Sequence, residues 1–145
     1  MKIALVRHGN AAQHPVDDLR SLSPQGRKEA ASLPTFFKHQ HFSPKKVIHS
    51  ELLRAKETAT IINEGLTSPT HLEEDKDLRP SSNPEIWLHN LMAMDQDLMI
   101  VGHMPYMPLL LELLSRDQFM FPTAGAVILE RDDSDESWKI LARSF

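Results

Sequence analysis

The sequence predicts an α/β domain in three layers, α/β/α, with a mostly parallel central sheet and an antiparallel C-terminal hairpin at its edge. Three observations carry this. Short apolar runs alternate with segments of helical spacing, the pattern of the crossovers that build parallel sheets. The runs Ile3-Ala4-Leu5-Val6, Val47-Ile48 and Leu98-Met99-Ile100-Val101 are apolar throughout, as strands covered on both faces are. The last two runs, Ala126 to Leu129 and Trp138 to Leu141, flank the acidic stretch Asp132-Asp133-Ser134-Asp135-Glu136, which reads as the solvated tip of a hairpin.

Each element has its own signal. Lys2 to Val6 is the first strand, and Asn10 to Leu22, polar and carrying a proline, is a loop over its end. Ser23-Pro24 opens a helix with an N-cap serine and a proline at the first helical position. That helix runs through Arg27, Ala30 and Leu33 to Phe37, and Pro34 should kink or interrupt it. Lys46 to Ser50 is a second strand. Glu51 to Glu64 has helical spacing at Leu53, Ile61 and Ile62, with Ser50 as its cap and Gly65 as its stop. Thr70 to Leu78 holds a short, acidic edge strand. Pro84 to Met94 is a third helix, Asp97 to Val101 a strand, and Pro105 opens a fourth helix rich in leucine.

Length and composition bound the function. With 145 residues, 41% hydrophobic and 25% charged, the chain is one domain, residues 1–145. A net charge of −4 argues against a general nucleic-acid binder, though a few converging cations can still build an anion site. There is no cysteine, which excludes disulfides, thiolate catalysis and cysteine-zinc sites. No apolar run is long enough to span a bilayer or serve as a secretory signal, so a cytoplasmic location without membrane attachment is expected.

Three strands end in polar groups: Arg7-His8, Ser50, and Gly102-His103. If those strands are parallel neighbours, the three ends share the sheet edge where ligands of open α/β sheets bind. Arg54 lies one helical turn after Ser50 and can point back to that edge. Two guanidiniums, two imidazoles and nearby helix N-termini form a natural phosphate site. His8 is then a candidate nucleophile, Arg7 and Arg54 are clamps, and Gly9 leaves room for a ligand to approach the backbone.

These residues resemble the histidine phosphatase superfamily, which includes the cofactor-dependent phosphoglycerate mutases and many small phosphatases. The resemblance rests on Arg7-His8-Gly9, on Ser50 to Arg54 with Ala55 and Thr58-Ala59, and on Gly102-His103-Met104-Pro105, in the family's order. Compact size and Leu22-Ser23-Pro24-Gln25-Gly26 are most similar to its small SixA-like phosphohistidine phosphatases. The resemblance implies catalysis without metal or other cofactor. His8 attacks phosphorus to form a phosphohistidine, and Arg7, Arg54 and His103 hold the phosphoryl oxygens. Asn10 and Ser50 are further candidate phosphate contacts, Ser50 having equal weight as a helix cap.

Family members that cleave phosphate esters or move phosphate between hydroxyls use a carboxylic acid to protonate the leaving alkoxide. Here the comparable segment reads Asp77-Leu78-Arg79-Pro80, without the acidic pattern of a mutase, and Asp77 is the candidate acid it offers. An imidazole protonated on its far nitrogen leaves neutral, so N–P cleavage depends less on such an acid. The segment before Gly102 is also too short for the caps that enclose small substrates. The expected substrate is therefore a phosphohistidine-bearing protein such as a phosphotransfer domain. The alternatives are a small-metabolite phosphomonoesterase using Asp77 or another carboxylate as acid, and a catalytically silent phosphohistidine-binding module.

The remaining histidines read as structural or solvated. His39 and His41, at i and i+2 on a helix end, face different sides and make a poor metal pair. His49 is expected beside the sheet or in solvent. Thr123-Ala124-Gly125 is either a turn or a source of backbone donors near the site.

Overall fold

The structure is a computed structural model that describes residues 1–134 and 136–145. Six strands form one sheet in the order β3-β2-β4-β1-β5-β6: β1 Lys2–Arg7, β2 Lys46–Ser50, β3 His71–Asp75, β4 Leu98–Gly102, β5 Ala126–Arg131 and β6 Trp138–Arg143. The four strands β1 to β4 pair in parallel, while β5 runs antiparallel to β1 and β6 antiparallel to β5. The hairpin edge expected from the two C-terminal runs is thus present. At its tip Asp132 Oδ1 accepts bonds from the Ser134 amide and hydroxyl, and Asp135 lies outside the described residues.

Alternation along the buried strands sorts the core into two halves. Ile3 and Leu5 of β1 face Trp87, Leu91, Tyr106, Leu110 and Leu114, from the helices α3 (Pro84–Met92) and α4 (Tyr106–Ser115). Ala4 and Val6 face Ala30, Leu33, Phe37, Ala55 and Ile62, from α1 (Pro24–His39) and α2 (Leu53–Gly65). Three layers result, with two helices on each side.

Local chemistry fixes the ends of α1. Ser23 Oγ accepts the Gly26 amide at 3.1 Å with Pro24 at the first helical position. Of the expected kink or interruption, the interruption does not occur: α1 continues through Pro34 to His39. Buried Leu33 and Phe37 hold the helix on the sheet at that point, and the Pro34 ring packs against Gly65 of α2, where there is no side chain to obstruct it. Tertiary packing overrides the proline here. Ser50 does not cap α2: the cap position is Leu52, with no side-chain bond, and Gly65 is the last helical residue rather than the stop beyond it. His49 is buried beside the sheet, its Nδ1 paired with the Ser50 carbonyl, and His41 lies past α1 with φ of 53°.

Register positions the functional edge. Arg7 lies opposite Gly102, and His49 opposite Val101, so the carboxyl ends of β1, β2 and β4 come level. The loop after β1 forms a strap that folds back over that edge. It is closed by an antiparallel bridge between Ala11 and Leu22 and contains a single 3-10 turn, Asp17–Leu19.

Candidate active site

His8 is the first residue beyond β1 and is fixed from both sides. Its amide donates to the Gly102 carbonyl of β4, and its carbonyl accepts the Ala124 amide. The next amide, Gly9, donates to Thr58 Oγ1, which itself donates to the Arg54 carbonyl on α2. The His8 ring is set by a 2.6 Å bond between Nδ1 and the Gly9 carbonyl. A carbonyl oxygen can only accept, so Nδ1 carries the proton and Nε2 keeps its lone pair. Burial is the main cause that pushes the His8 pKa down to about 4. The Gly9 bond opposes this, and the guanidiniums of Arg54, Arg7 and Arg20 add to it. His8 is therefore a neutral imidazole at neutral pH.

His103, at the end of β4, has its ring 5.2 Å from that of His8, tilted by 55°. Burial first, then His8 and Arg54, push its pKa down to about 3. Its Nε2 meets Ser50 Oγ at 2.8 Å. Arg7 donates from Nη1 to the Phe121 carbonyl, which orients its fork. Arg54 donates from Nη1 to the Asp17 carbonyl and from Nη2 to Asp17 Oδ2, so the 3-10 turn of the strap holds this guanidinium. A second arginine, Arg79, ties the same turn down by bonds to Asp18 and to Glu51, which lies just before the cap of α2.

These groups surround a cleft of about 250 Å³ lined by Arg7, His8, Asn10, Ala11, Arg20, Arg54, His103, Met104 and Thr123. Five of the six residues expected to contact a phosphoryl group directly therefore converge: Arg7, His8, Asn10, Arg54 and His103. The sixth, Ser50, does not line the cleft but stands fully buried behind His103. Asn10 Oδ1 accepts the Ser23 hydroxyl, coupling the cleft to the cap of α1. Asp77 sits in a separate 3-10 turn, Lys76–Leu78, with its amide on Asp75 Oδ1, and is not among the lining residues. Gly9 serves a different purpose from the one expected. A Cβ there would come within 2.6 Å of the Gly26 carbonyl, so its bareness admits the N-terminus of α1 rather than a ligand.

Sequence reasoning missed Arg20, the third guanidinium of the cleft, whose Nε donates to the Ala12 carbonyl across the neck of the strap. The signal available was only a basic residue three positions after Asp17 in an irregular segment. It also missed Glu29, which accepts the Asn10 amide and the Thr123 hydroxyl and so fastens two cleft loops to α1. A larger hollow of about 650 Å³ beside α3 and α4 is lined by Glu85, Glu112 and Arg116 among others, with no imidazole among its lining residues.

Among the buried polar atoms that lack a hydrogen bond are Arg7 Nε, Arg54 Nε and His103 Nδ1, all from cleft residues. Such groups are costly unless a ligand satisfies them, and cations with spare donors match an oxyanion. The model of the histidine phosphatase superfamily (branch 1) matches residues 3–82, more than half of the chain. The chain belongs to this superfamily. Phosphohistidine phosphatase SixA of Escherichia coli (strain K12) is 25% identical over 141 residues, covering 92% of this chain and 88% of that protein. The solved structure of protein histidine phosphatase SixA complexed with tungstate has a TM-score of 0.90 at 23% identity, covering 99% of this chain and 96% of that one. A structure from Agrobacterium tumefaciens, described as a candidate phosphohistidine phosphatase SixA, has a TM-score of 0.86 at 21% identity, covering 99% and 97%. The α/β fold and its edge hairpin are those of this group.

Proposed function

We propose that the chain is a cytoplasmic, metal-independent phosphatase that removes phosphoryl groups from histidine on a partner protein, through a phosphohistidine formed on His8. The observation that carries this is the His8 Nδ1 bond to the Gly9 carbonyl, which leaves Nε2 as a buried, neutral nucleophile among three guanidiniums. The E. coli relative named a phosphohistidine phosphatase supports the substrate class.

In the first step the Nε2 lone pair attacks phosphorus and the substrate N–P bond breaks. The electron pair returns to the leaving imidazole, which departs neutral when its far nitrogen is protonated. Arg7, Arg20, Arg54 and His103 are the groups in position to hold the equatorial oxygens as charge redistributes. In the second step water attacks, the His8 N–P bond breaks, and water's protons go to phosphate and solvent. Because Nδ1 keeps its proton on the Gly9 carbonyl throughout, His8 itself also leaves neutral. Neither step requires a carboxylic acid. None of the residues named as lining the cleft is acidic, which disfavours alkoxide leaving groups.

A protein-borne phosphohistidine brings its backbone and neighbours to the rim. Across Met104 the cleft continues into a shallow groove of about 450 Å³, lined in part by Pro108, Leu109, Phe119 and Met120, and this supports a protein partner such as a phosphotransfer domain. The test is incubation with a histidine-phosphorylated phosphotransfer domain beside a panel of sugar phosphates and nucleotides. Faster release from the phosphoprotein, with acid-labile phosphate trapped on His8 and lost in His8→Ala, is the expected result. Strong turnover of the esters that Asp77→Asn abolishes would overturn the reading in favour of a phosphomonoesterase. No phosphate on His8 and no turnover would indicate a binding module.

A further inference from the structure

Ser50 is fully buried at the end of β2, and neither of the roles read from sequence describes it: it does not cap α2 and does not line the cleft. Its hydroxyl oxygen has two partners. One is the Leu52 amide, 3.2 Å away, which can only donate and so takes one lone pair of Oγ. The other is His103 Nε2 at 2.8 Å. A serine hydroxyl must also place its own hydrogen, and a buried one left unpaired is penalised. Among the described residues the acceptor at hand is Nε2 of His103. That nitrogen accepts only if the ring's proton sits on Nδ1, the imidazole being neutral.

Nδ1 is the buried ring nitrogen that has no partner of its own. With Nε2 committed to Ser50, it is the ring atom left to meet a phosphoryl oxygen, and such an oxygen requires a donor. The two requirements agree: the serine that occupies Nε2 is the group that makes Nδ1 a donor. The opposite tautomer would leave the hydroxyl hydrogen without an acceptor and present a lone pair to an anion. We propose that Ser50 is a positioning residue that fixes His103 as its Nδ1–H tautomer, so that His103 serves the site as a neutral hydrogen-bond donor rather than as a cation. The second half of this inference rests on the phosphatase reading; the tautomer itself does not.

The experiment has two arms. Long-range ¹H–¹⁵N correlation spectra of ¹⁵N-histidine-labelled protein at pH 7 should show His103 with a protonated Nδ1 and a bare Nε2. A protonated Nε2 in the wild type overturns the proposal, whatever the enzyme's substrate. In the second arm, Ser50→Ala should shift the His103 ring resonances toward a tautomer mixture and lower kcat roughly tenfold, the worth of about one hydrogen bond. The variant should keep the wild-type thermal unfolding midpoint within a few degrees, and Ser50→Thr, which restores a hydroxyl, should recover most of kcat and the Nδ1–H signature. A Ser50→Ala protein with unchanged ring resonances overturns the positioning role even if its activity falls. Should Ser50→Ala fail to fold, the wild-type tautomer and the Ser50→Thr variant still decide the proposal.

Discussion

The role proposed for His8 requires an uncharged imidazole, and the fold holds it neutral by burial more than by nearby charge. That arrangement has a thermodynamic cost that can be read. In the unfolded chain the imidazole titrates near its ordinary value of about 6.5, while in the native state it does so at about 4. Between those values the unfolded state binds a proton that the native state does not, so stability falls as pH falls through that window. Above it both states are neutral and His8 contributes no pH dependence. From pH 7 to pH 5 the His8 share of the loss is about 2 kcal/mol. Urea unfolding at both pH values should therefore show His8→Asn losing about that much less than wild type. Equal losses in the two proteins would mean that His8 is not held neutral by its site. His103, pushed down to about 3, adds a loss of the same sign that extends lower in pH.

At the scale of elements, the site depends on how closely α1 approaches the loop after β1. Gly26 is the contact point: a Cβ there would run into the backbone of Asn10, two residues past His8. Backbone cannot swing aside as a side-chain tip can, so Gly26→Ala should cost about 3 kcal/mol or more and should perturb His8 as well as stability. By contrast, a Cβ at Gly65 meets only the Pro34 ring of α1. Chemical denaturation of the two variants checks this order, and a Gly26→Ala protein as stable as wild type would refute the close-packing role. The same comparison shows what sequence could and could not convey. Strand ends at Arg7, Ser50 and Gly102 were legible because apolar runs stop there, and three such stops brought together the two histidines and two of the arginines. The pairing of Ser50 with His103 was not legible, since helix capping and side-chain pairing across strands use the same residue type. Arg20 was hidden because an irregular strap has no periodicity from which to place a side chain. Pro34 does not interrupt α1, because packing against Gly65 outweighs the local rule there.

Across the whole molecule, charge and apolar surface are arranged in opposition around one opening. The chain is net acidic, at −4, yet the cleft gathers Arg7, Arg20 and Arg54, while Asp17, Asp18 and Glu51 are engaged in holding arginines at its rim. Beyond Met104 the surface turns apolar, with Leu109 45% exposed and Met120 71% exposed, an arrangement with little value for a small, highly charged metabolite. For a phosphohistidine carried on a helix or loop it offers area in contact with the flanking residues while the phosphoryl group enters the cleft. The groove and the cleft should then be separable by mutation. Placing carboxylates at both positions, Leu109→Glu with Met120→Glu, leaves every cleft residue intact and should not change hydrolysis of a small phosphoramidate. With a histidine-phosphorylated phosphotransfer domain the same pair should raise KM about tenfold or more, because burying an unpaired carboxylate against a partner is costly. If KM for the protein substrate is unmoved while the small substrate also behaves as in wild type, recognition is confined to the cleft and the groove plays no part in it.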